Sequence, residues 1–561
     1  SLCVCLLKFI DGDRRASRRE FCMRYLLPKA VIKCDGEVKK VENLFIKKTL
    51  QIGLCEQCVT EINGKGYIIL DFGKEISGGV RILNYSTEGA NRVRIRFGES
   101  VGETCAEIGE KGATNDHSVR DMIVSLQRYS DMTFGQTGFR FVRIDFLSGK
   151  CSIKSVVAAE DEKREYIGSF ESDDKLLNEI WHTAAETLNL CIRNGYLWDG
   201  IKRDRLVWIG DIYPETKAAY CLFGNIAEIK NSLIFCREQT PEGSWMNNIP
   251  AYSAWWLMNL CEYYFRSDDK EFVIENRAFA ERILNDLCSC VNEDGDVNFP
   301  FNFIDWATHY AADSDEPADE SLLKKYEETA GTNYLLRMTI DKMRPLLKEF
   351  GFNAEIAEKA YKRLNKKAYD IKKHKQIAAF GVLAGEKNAQ NEKVMLCGGA
   401  KGLTTFLNYF IFTALEEYGR HAEVFDMIKT YYGKMLELGA TTFWEDFDVE
   451  WAENAAKIDE MPGGDKKDIH GDFGRFCYKG YRHSLCHGWS SGVVAYMSEN
   501  ILGINKIGRD EYSVKPNMYG LNKLKGSYPT PYGEIIVKCE KMADGSLKTD
   551  VHAPDCIKIV K

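Results

Sequence analysis

Three carboxylates stand close together in Asp199-Gly-Ile-Lys-Arg-Asp204-Arg-Leu-Val-Trp208-Ile-Gly-Asp211, interleaved with Arg203, Arg205 and an indole. Acid, cation and aromatic at this spacing suit a sugar site. Carboxylates move protons and accept hydrogen bonds from hydroxyls, and an indole covers the apolar face of a sugar ring. The plainer alternative is a charged loop of internal ion pairs. Leu206, Trp208 and Ile209 argue against it, because they predict burial of the segment, and buried carboxylates need partners or a task. Three further clusters pair polar groups with Trp: Trp245-Met-Asn247-Asn248-Ile-Pro-Ala-Tyr252 with Trp255 and Trp256; Phe303-Ile-Asp305-Trp306; and Gly439-Ala-Thr441-Thr442-Phe-Trp444-Glu445-Asp446, followed by Ser484-Leu-Cys-His487-Gly-Trp489. One such cluster is ordinarily aromatic packing. Four on separate loops point to a common site.

Glycoside hydrolysis needs two carboxyl groups across the scissile bond: one protonates the leaving oxygen, and the other attacks the sugar or activates water. Asp204 and Glu445 offer that pair. Arg203 and Arg205 are placed to keep neighbouring carboxylates ionised. Asp199 and Asp211 are then free to bind hydroxyls, and His487 to donate to a hydroxyl or orient a carboxylate.

These residues must be positioned by a large scaffold. A chain of 561 residues predicts two or three domains. Residues 1–165 read as a β-sandwich: Tyr67-Ile-Ile-Leu-Asp-Phe, Asn91-Arg-Val-Arg-Ile-Arg-Phe and Phe139-Arg-Phe-Val-Arg-Ile-Asp-Phe carry strand-forming residues, the last two in period-two alternation, and Glu88-Gly-Ala-Asn91 is a turn. Residues 166–505 read as helical, with Ser172 as the first N-cap and eleven helices near 172–192, 214–223, 225–237, 252–266, 271–290, 319–348, 353–371, 375–385, 402–418, 421–438 and 484–502. Such a run of paired helices predicts an α/α toroid with its site on the loops at one end. Residues 506–561 return to β, with hairpin strands at Gly533 to Glu540 and Ser546 to Val551, and are expected to pack on the helical body.

Net charge is −8 and the pI about 5.8, which argues against a nucleic-acid partner. No run of about 18 apolar residues predicts a membrane span. The opening Ser1-Leu-Cys-Val-Cys lacks a basic region and does not read as a signal peptide, and the 19 Cys follow no framework. Cys191, Cys221 and Cys261 sit in apolar helical stretches as reduced core residues, so a cytoplasmic location is favoured, with export possible if a native start was trimmed. Cys55-Glu-Gln-Cys58 lacks the second pair that zinc requires, and Ala312 to Glu320 lacks the Gly and terminal Glu of a calcium loop. No metal or cofactor is expected.

The pattern Asp199-x4-Asp204-Arg205-Leu206-x-Trp208-x-Gly210-Asp211, with Gly439-Ala-Thr-Thr-Phe-Trp-Glu445 and Gly526-Ser-Tyr-Pro-Thr-Pro-Tyr-Gly-Glu-Ile, resembles the bacterial α-L-rhamnosidases of glycoside hydrolase family 78. Asp71-Phe-Gly-Lys-Glu-Ile-Ser-Gly78-Gly-Val and Gly138-Phe-Arg-Phe-Val-Arg-Ile are similar to that family's sandwich before the barrel, so the resemblance runs from about residue 65 to the end. It implies an (α/α)6 barrel flanked by β domains and an inverting exo-hydrolase that releases terminal α-L-rhamnose from glycans or glycosides without a metal. Carried over by position, Asp204 is the general acid and Glu445 the base acting through water. Asp199, Arg203, Trp208, Asp211, Tyr252, Trp256, Asp305, Trp306, Trp444 and His487 line the sugar subsite. The chain departs from the family in having Asp204 where Glu is usual and Asp199-Gly-Ile in place of Asp-Cys-Pro, and the family's extra N-terminal sandwiches are not evident. Two alternatives remain: the same barrel acting on another terminal sugar, and an inactive carbohydrate-binding relative. Aglycone, linkage and oligomeric state are left open.

Overall fold

The computed structural model describes residues 23–115, 119–310, 317–476 and 478–560. The chain's opening residues and most of the acidic segment Ala312 to Glu320 lie outside them.

The N-terminal unit is an antiparallel sandwich built from two very long, bent strands, Thr60–Gly98 and Ser130–Glu160, with Arg24–Leu26, Ala30–Lys39 and Asp121–Ser125 at the edges. Register explains the two layers. Phe141 to Phe146 pairs on one side with Gly66 to Asp71 and on the other with Val93 to Gly98. Val80 to Asn84 lies between Ser130 to Phe134 and Ile153 to Ala158. The apolar members of both layers, among them Ile68, Leu70, Ile82, Ile95, Phe97, Phe139 and Ile144, meet in one core, as period-two alternation requires. Gly89, in the turn expected at 88–91, has φ +75°, a conformation open to glycine.

Twelve α-helices follow among the described residues between 175 and 501, and they alternate between an outer and an inner ring. The inner helices are Ile212–Leu222, Pro250–Ser267, Ala318–Glu349, Lys375–Leu383, Asn408–Glu416 and Gly492–Tyr496. Each packs on the next, and the last packs on the first, so the ring is closed. Pro250–Ser267 shows why these helices are inside: almost every residue from Pro250 to Tyr263 is buried, leaving no polar face. The outer helices are Lys175–Cys191, Ala227–Glu238, Lys270–Ser289, Glu355–Leu364, Ala389–Leu396 and His421–Glu437, several with a solvated face.

Three details differ from the sequence reading. Asp174, not Ser172, caps the first helix, accepting from the amides of Leu176 and Leu177; Ser172 instead ends a strand, Ser169–Ser172. The helix Ala389–Leu396 has no counterpart among the expected eleven; it is short and weakly amphipathic. The expected 353–371 shrinks to Glu355–Leu364.

The C-terminal strands form a four-stranded sheet, in the order Leu547–His552, Gly533–Lys541, Lys523–Thr530, Ser169–Ser172, and a three-stranded one of Ile504–Gly508, Glu511–Val514 and Lys558–Val560. Leu524, Tyr528, Ile535 and Val537 share the core of the helical body. Cys191, Cys221 and Cys261 are buried free thiols, and the Cys55/Cys58 pair is exposed and unbridged. No described helix is long and apolar enough to cross a membrane.

Candidate active site

Every loop that runs from an outer helix to the following inner helix opens at the same end of the ring, and these loops carry the clusters singled out above. The segment 199–211 enters the inner helix Ile212–Leu222, with Asp211 at its N-cap position. Asp204 and Arg205 both lie in the left-handed region, φ 50° and 54°. Consecutive non-glycine residues there cost energy that surrounding structure must offset, a feature that concentrates at functional sites. The sharp turn leaves Asp204 partly exposed while its neighbour Arg203 is buried.

Neighbouring loops hold this turn. The amide of Gly488 donates to the Asp199 carbonyl at 2.7 Å. Asn247 Oδ1 accepts the Ile209 amide at 3.0 Å, and its Nδ2 donates to the Val207 carbonyl. The segments 443–445 and 484–487 are laced together by Glu445 N to the Ser484 carbonyl, 2.9 Å, and His487 N to the Phe443 carbonyl, 3.1 Å.

At the centre, the Arg203 guanidinium forks. Its Nη1 lies 3.0 Å from Asp204 Oδ2, while Nη2 contacts both oxygens of Glu445. Glu445 Oε2 also accepts the Ser484 amide at 3.0 Å. His487 Nε2 is 3.4 Å from Glu445 Oε1 and 4.0 Å from Asp199 Oδ2 and from Asp211 Oδ2. Asp199 Oδ1 accepts the Leu206 amide, and Asp211 Oδ1 accepts the Tyr252 hydroxyl at 2.9 Å.

Four acids around one arginine set the electrostatics. Burial raises the Glu445 carboxyl above the usual carboxylate range, and the adjacent Arg203 opposes that rise. Burial pushes Asp199 and Asp211 well above their ordinary values, reinforced at Asp199 by Asp204 and Asp211 and at Asp211 by Glu445 and Asp204. Burial, helped by Arg203 and His483, drives His487 well below its usual range, so its imidazole is neutral. A narrow cleft opens beside Glu445, walled by Asp305, Trp306, Thr404, Phe476, Tyr478 and Trp489. In it Asp305 accepts the Thr404 hydroxyl at 2.6 Å, and burial raises its carboxyl to about 6. Trp306 stacks on Phe476 with ring centres 6.4 Å apart and meets Tyr478 edge-on.

The structure therefore brings together Asp199, Arg203, Asp204, Asp211, Tyr252, Glu445 and His487, with Asp305 and Trp306 on the adjoining wall. Trp208 is half-buried, edge-on to Tyr252. Four expectations are corrected. Trp256 lies one helical turn deeper than Tyr252, donating to the Leu233 carbonyl and packing on Phe279, so it belongs to the barrel wall. Trp444, next to Glu445 in extended chain, packs on Phe447 and edge-on to His483, away from the cleft. Arg205 lies over the Trp198 ring and donates to the Gln136 carbonyl rather than serving the carboxylates. Leu206, expected inside, is 45% exposed.

One functional candidate escaped the sequence reading. Glu215 is buried, one turn beyond Asp211 on the same helix, and neither of its oxygens has a hydrogen-bond partner among the described residues. Burial, with Asp211 and Asp199 adding to it, pushes this carboxyl well above its ordinary value, so it is held neutral beneath the acidic floor. Its i, i+4 spacing from Asp211 is the one trace it leaves in the sequence.

The family model for the bacterial α-L-rhamnosidase six-hairpin glycosidase domain matches residues 165–501, more than half of the chain. Among solved structures, the chain is similar to the family 78 rhamnosidase of Bacillus sp. GL1, with 20% identity, TM-score 0.71, and coverage of 93% of this chain and 55% of that one. It is also similar to a rhamnosidase from Klebsiella oxytoca with rhamnose bound, at 18% identity and TM-score 0.63, covering 85% of this chain and 95% of that one. The Streptomyces avermitilis α-L-rhamnosidase complexed with L-rhamnose gives 15% identity and TM-score 0.66, with 89% of this chain and 49% of that one covered. The chain thus spans about half the length of the Bacillus and Streptomyces proteins. No curated protein matches it. Six helical hairpins closed into a ring, with the acidic cluster at the loop end and a family match across that whole region, make this chain a member of the bacterial α-L-rhamnosidase six-hairpin glycosidase family.

Proposed function

We propose that the protein is an inverting, exo-acting glycoside hydrolase that releases terminal α-L-rhamnose, with Asp204 as general acid and Glu445 as general base. The observation that carries this reading is the Arg203 fork: one guanidinium holds Asp204 on one Nη and Glu445 on the other. The fork gathers on one cation the two carboxylates that glycoside hydrolysis requires, and the inverting reading calls for a gap of about 6.5–9.5 Å between them for the water. Glu445, raised by burial yet charged against Arg203, is suited to take a proton from water near neutral pH. Asp204, at the tip of its turn and partly exposed, faces the side where a leaving group departs. Asp199, Asp211 and neutral His487 offer acceptors and a donor to the sugar hydroxyls. Two solved relatives hold rhamnose, which supports this choice of sugar. The partner is accordingly a rhamnose-containing glycoside or glycan.

The test is turnover of aryl α-L-rhamnoside beside a panel of other aryl glycosides, with proton NMR of the first-formed anomer. Release of rhamnose with inverted configuration is expected. Glu445→Gln is expected to lower kcat by about 100- to 10,000-fold. Turnover of a different sugar would move the specificity. Retention of configuration would remove the water-activating role from Glu445, and binding of rhamnosides without turnover would favour a lectin.

A further inference from the structure

The N-terminal sandwich touches three of the segments that build the site, 199–211, 439–446 and 484–489. The amide of Gly138 donates to the Ile201 carbonyl at 3.0 Å. Arg140, fixed on Asp71 at 2.8 Å, donates from Nη1 to the Gly439 carbonyl, and the Glu75 amide donates to the Thr441 hydroxyl. The deepest contact is Glu99, fully buried just after the strand Thr60–Gly98. Its Oε2 accepts the Leu485 amide at 2.6 Å and lies 3.0 Å from Lys202 Nζ. The ammonium also contacts Glu103 Oε1 at 3.3 Å and donates to the carbonyls of Tyr481, at 2.9 Å, and His483. Glu99, Glu103 and His470 have potential metal-ligand atoms within 4.8 Å of one another, but the Lys202 ammonium, which contacts both glutamates, supplies the cation there. His470 Nε2 donates to the His483 carbonyl, so its Nδ1 accepts from Ser100.

Lys202 and Leu485 are not ordinary core positions. Lys202 precedes Arg203, whose guanidinium holds both proposed catalytic acids, and Leu485 follows Ser484, whose amide donates to Glu445 Oε2. We propose that Glu99 is a positioning residue for the hydrolytic reaction: from the sandwich, it clamps the Ser484–Leu485 backbone and Lys202 together and so sets the hydrogen bond and ion pair that orient Glu445. The inference rests on the reading of Glu445 as the base. It makes the sandwich part of the active site. A buried ion pair of this kind adds little net stability over apolar residues of the same volume, whereas a displacement of about 1 Å at a reacting group costs about 100-fold in rate.

The test uses two full-length variants. Glu99→Gln keeps an oxygen for the Leu485 amide and loses the charge facing Lys202. The double variant Glu99→Leu with Lys202→Met removes both charges together, and Glu103, which keeps the residue-99 amide on its Oε2, loses the ammonium. The expected result is a fall in kcat of about 100-fold for the double variant and a smaller fall for Glu99→Gln, with KM changed less than kcat. The groups facing Glu445 are Arg203, Asp204, Asp211, His487 and the Ser484 amide. Loss of the amide bond removes a stabiliser of the charged form, so the acid limb of kcat/KM moves to higher pH. Crystal structures of wild type and variants give a readout independent of turnover: the distance from Ser484 N to Glu445 Oε2, 3.0 Å here, is expected to lengthen beyond hydrogen-bond reach in the double variant. A wild type without rhamnoside turnover would sink the proposed activity, while this distance would still decide the positioning role. Unmoved kcat, limb and distance in variants that merely melt earlier would show a structural strut and overturn the proposal. So would a double variant that does not fold, because the cluster would then serve the fold rather than the loop.

Discussion

At the scale of single residues, the site is defined by how few cations it contains. Asp204 and Glu445 share Arg203; Asp199, Asp211 and Glu215 lie around them, and a neutral His487 adds no charge. Glu445 must be ionised to act as a base, and burial raises its carboxyl above the ordinary range. The acid limb of kcat/KM should therefore lie above the usual carboxylate range, with activity lost as pH falls through the raised value. A pH profile from about pH 4 to 9 checks this; a limb near pH 4 would contradict it. Asp204 and Glu445 were legible in the sequence because their neighbours form a motif. Glu215 was not, since a neutral buried carboxyl is recognised by what fails to surround it. Trp444 misled because neighbouring residues in a chain can face opposite ways, so an indole beside the proposed base need not share its cleft.

At the scale of elements, the helix Pro250–Ser267 and the loop 199–211 meet where Tyr252 holds Asp211. Gly210 makes that meeting possible: a Cβ there would fall 2.4 Å from the Tyr252 ring. Gly210→Ala should push the ring off Asp211 and match Tyr252→Phe, each raising KM about fivefold, as loss of a hydrogen bond of about 1 kcal/mol does. The double variant should be scarcely worse than either single one, because both break the same contact. Additive losses in steady-state kinetics would refute the link. The helices themselves were readable from apolar spacing, but depth along them was not. Trp256 follows Tyr252 by one turn, about 6 Å further from the loop end, which removes it from the sugar site and puts it against Phe279.

At the scale of the whole molecule, closure of the inner ring buries an acidic floor that the unfolded chain keeps in water. Asp199, Asp211, Glu215, Glu445 and Asp305 all have folded values raised by burial. The native state then binds more protons than the unfolded one. Their contribution is complete below the ordinary carboxylate range and is lost as pH rises through the raised values, about 6 for Asp305. Tm should fall between about pH 5 and 8, and Glu215→Gln, which cannot ionise, should flatten that slope. Calorimetry across this range measures it, and an unchanged slope would mean that Glu215 is paired in solution. The toroid was visible in the sequence as a long run of helices. How the sandwich reaches into it was not, because Glu99 is joined to Leu485 across 386 residues of chain. The barrel's own seam spans a similar interval. The strand Ser169–Ser172, which leads into the first helix, pairs only with Lys523–Thr530, and Ser169 meets Ser527 across 358 residues. During synthesis that edge leaves the ribosome long before its partner exists. Its backbone donors stay bare until Lys523–Thr530 has been made.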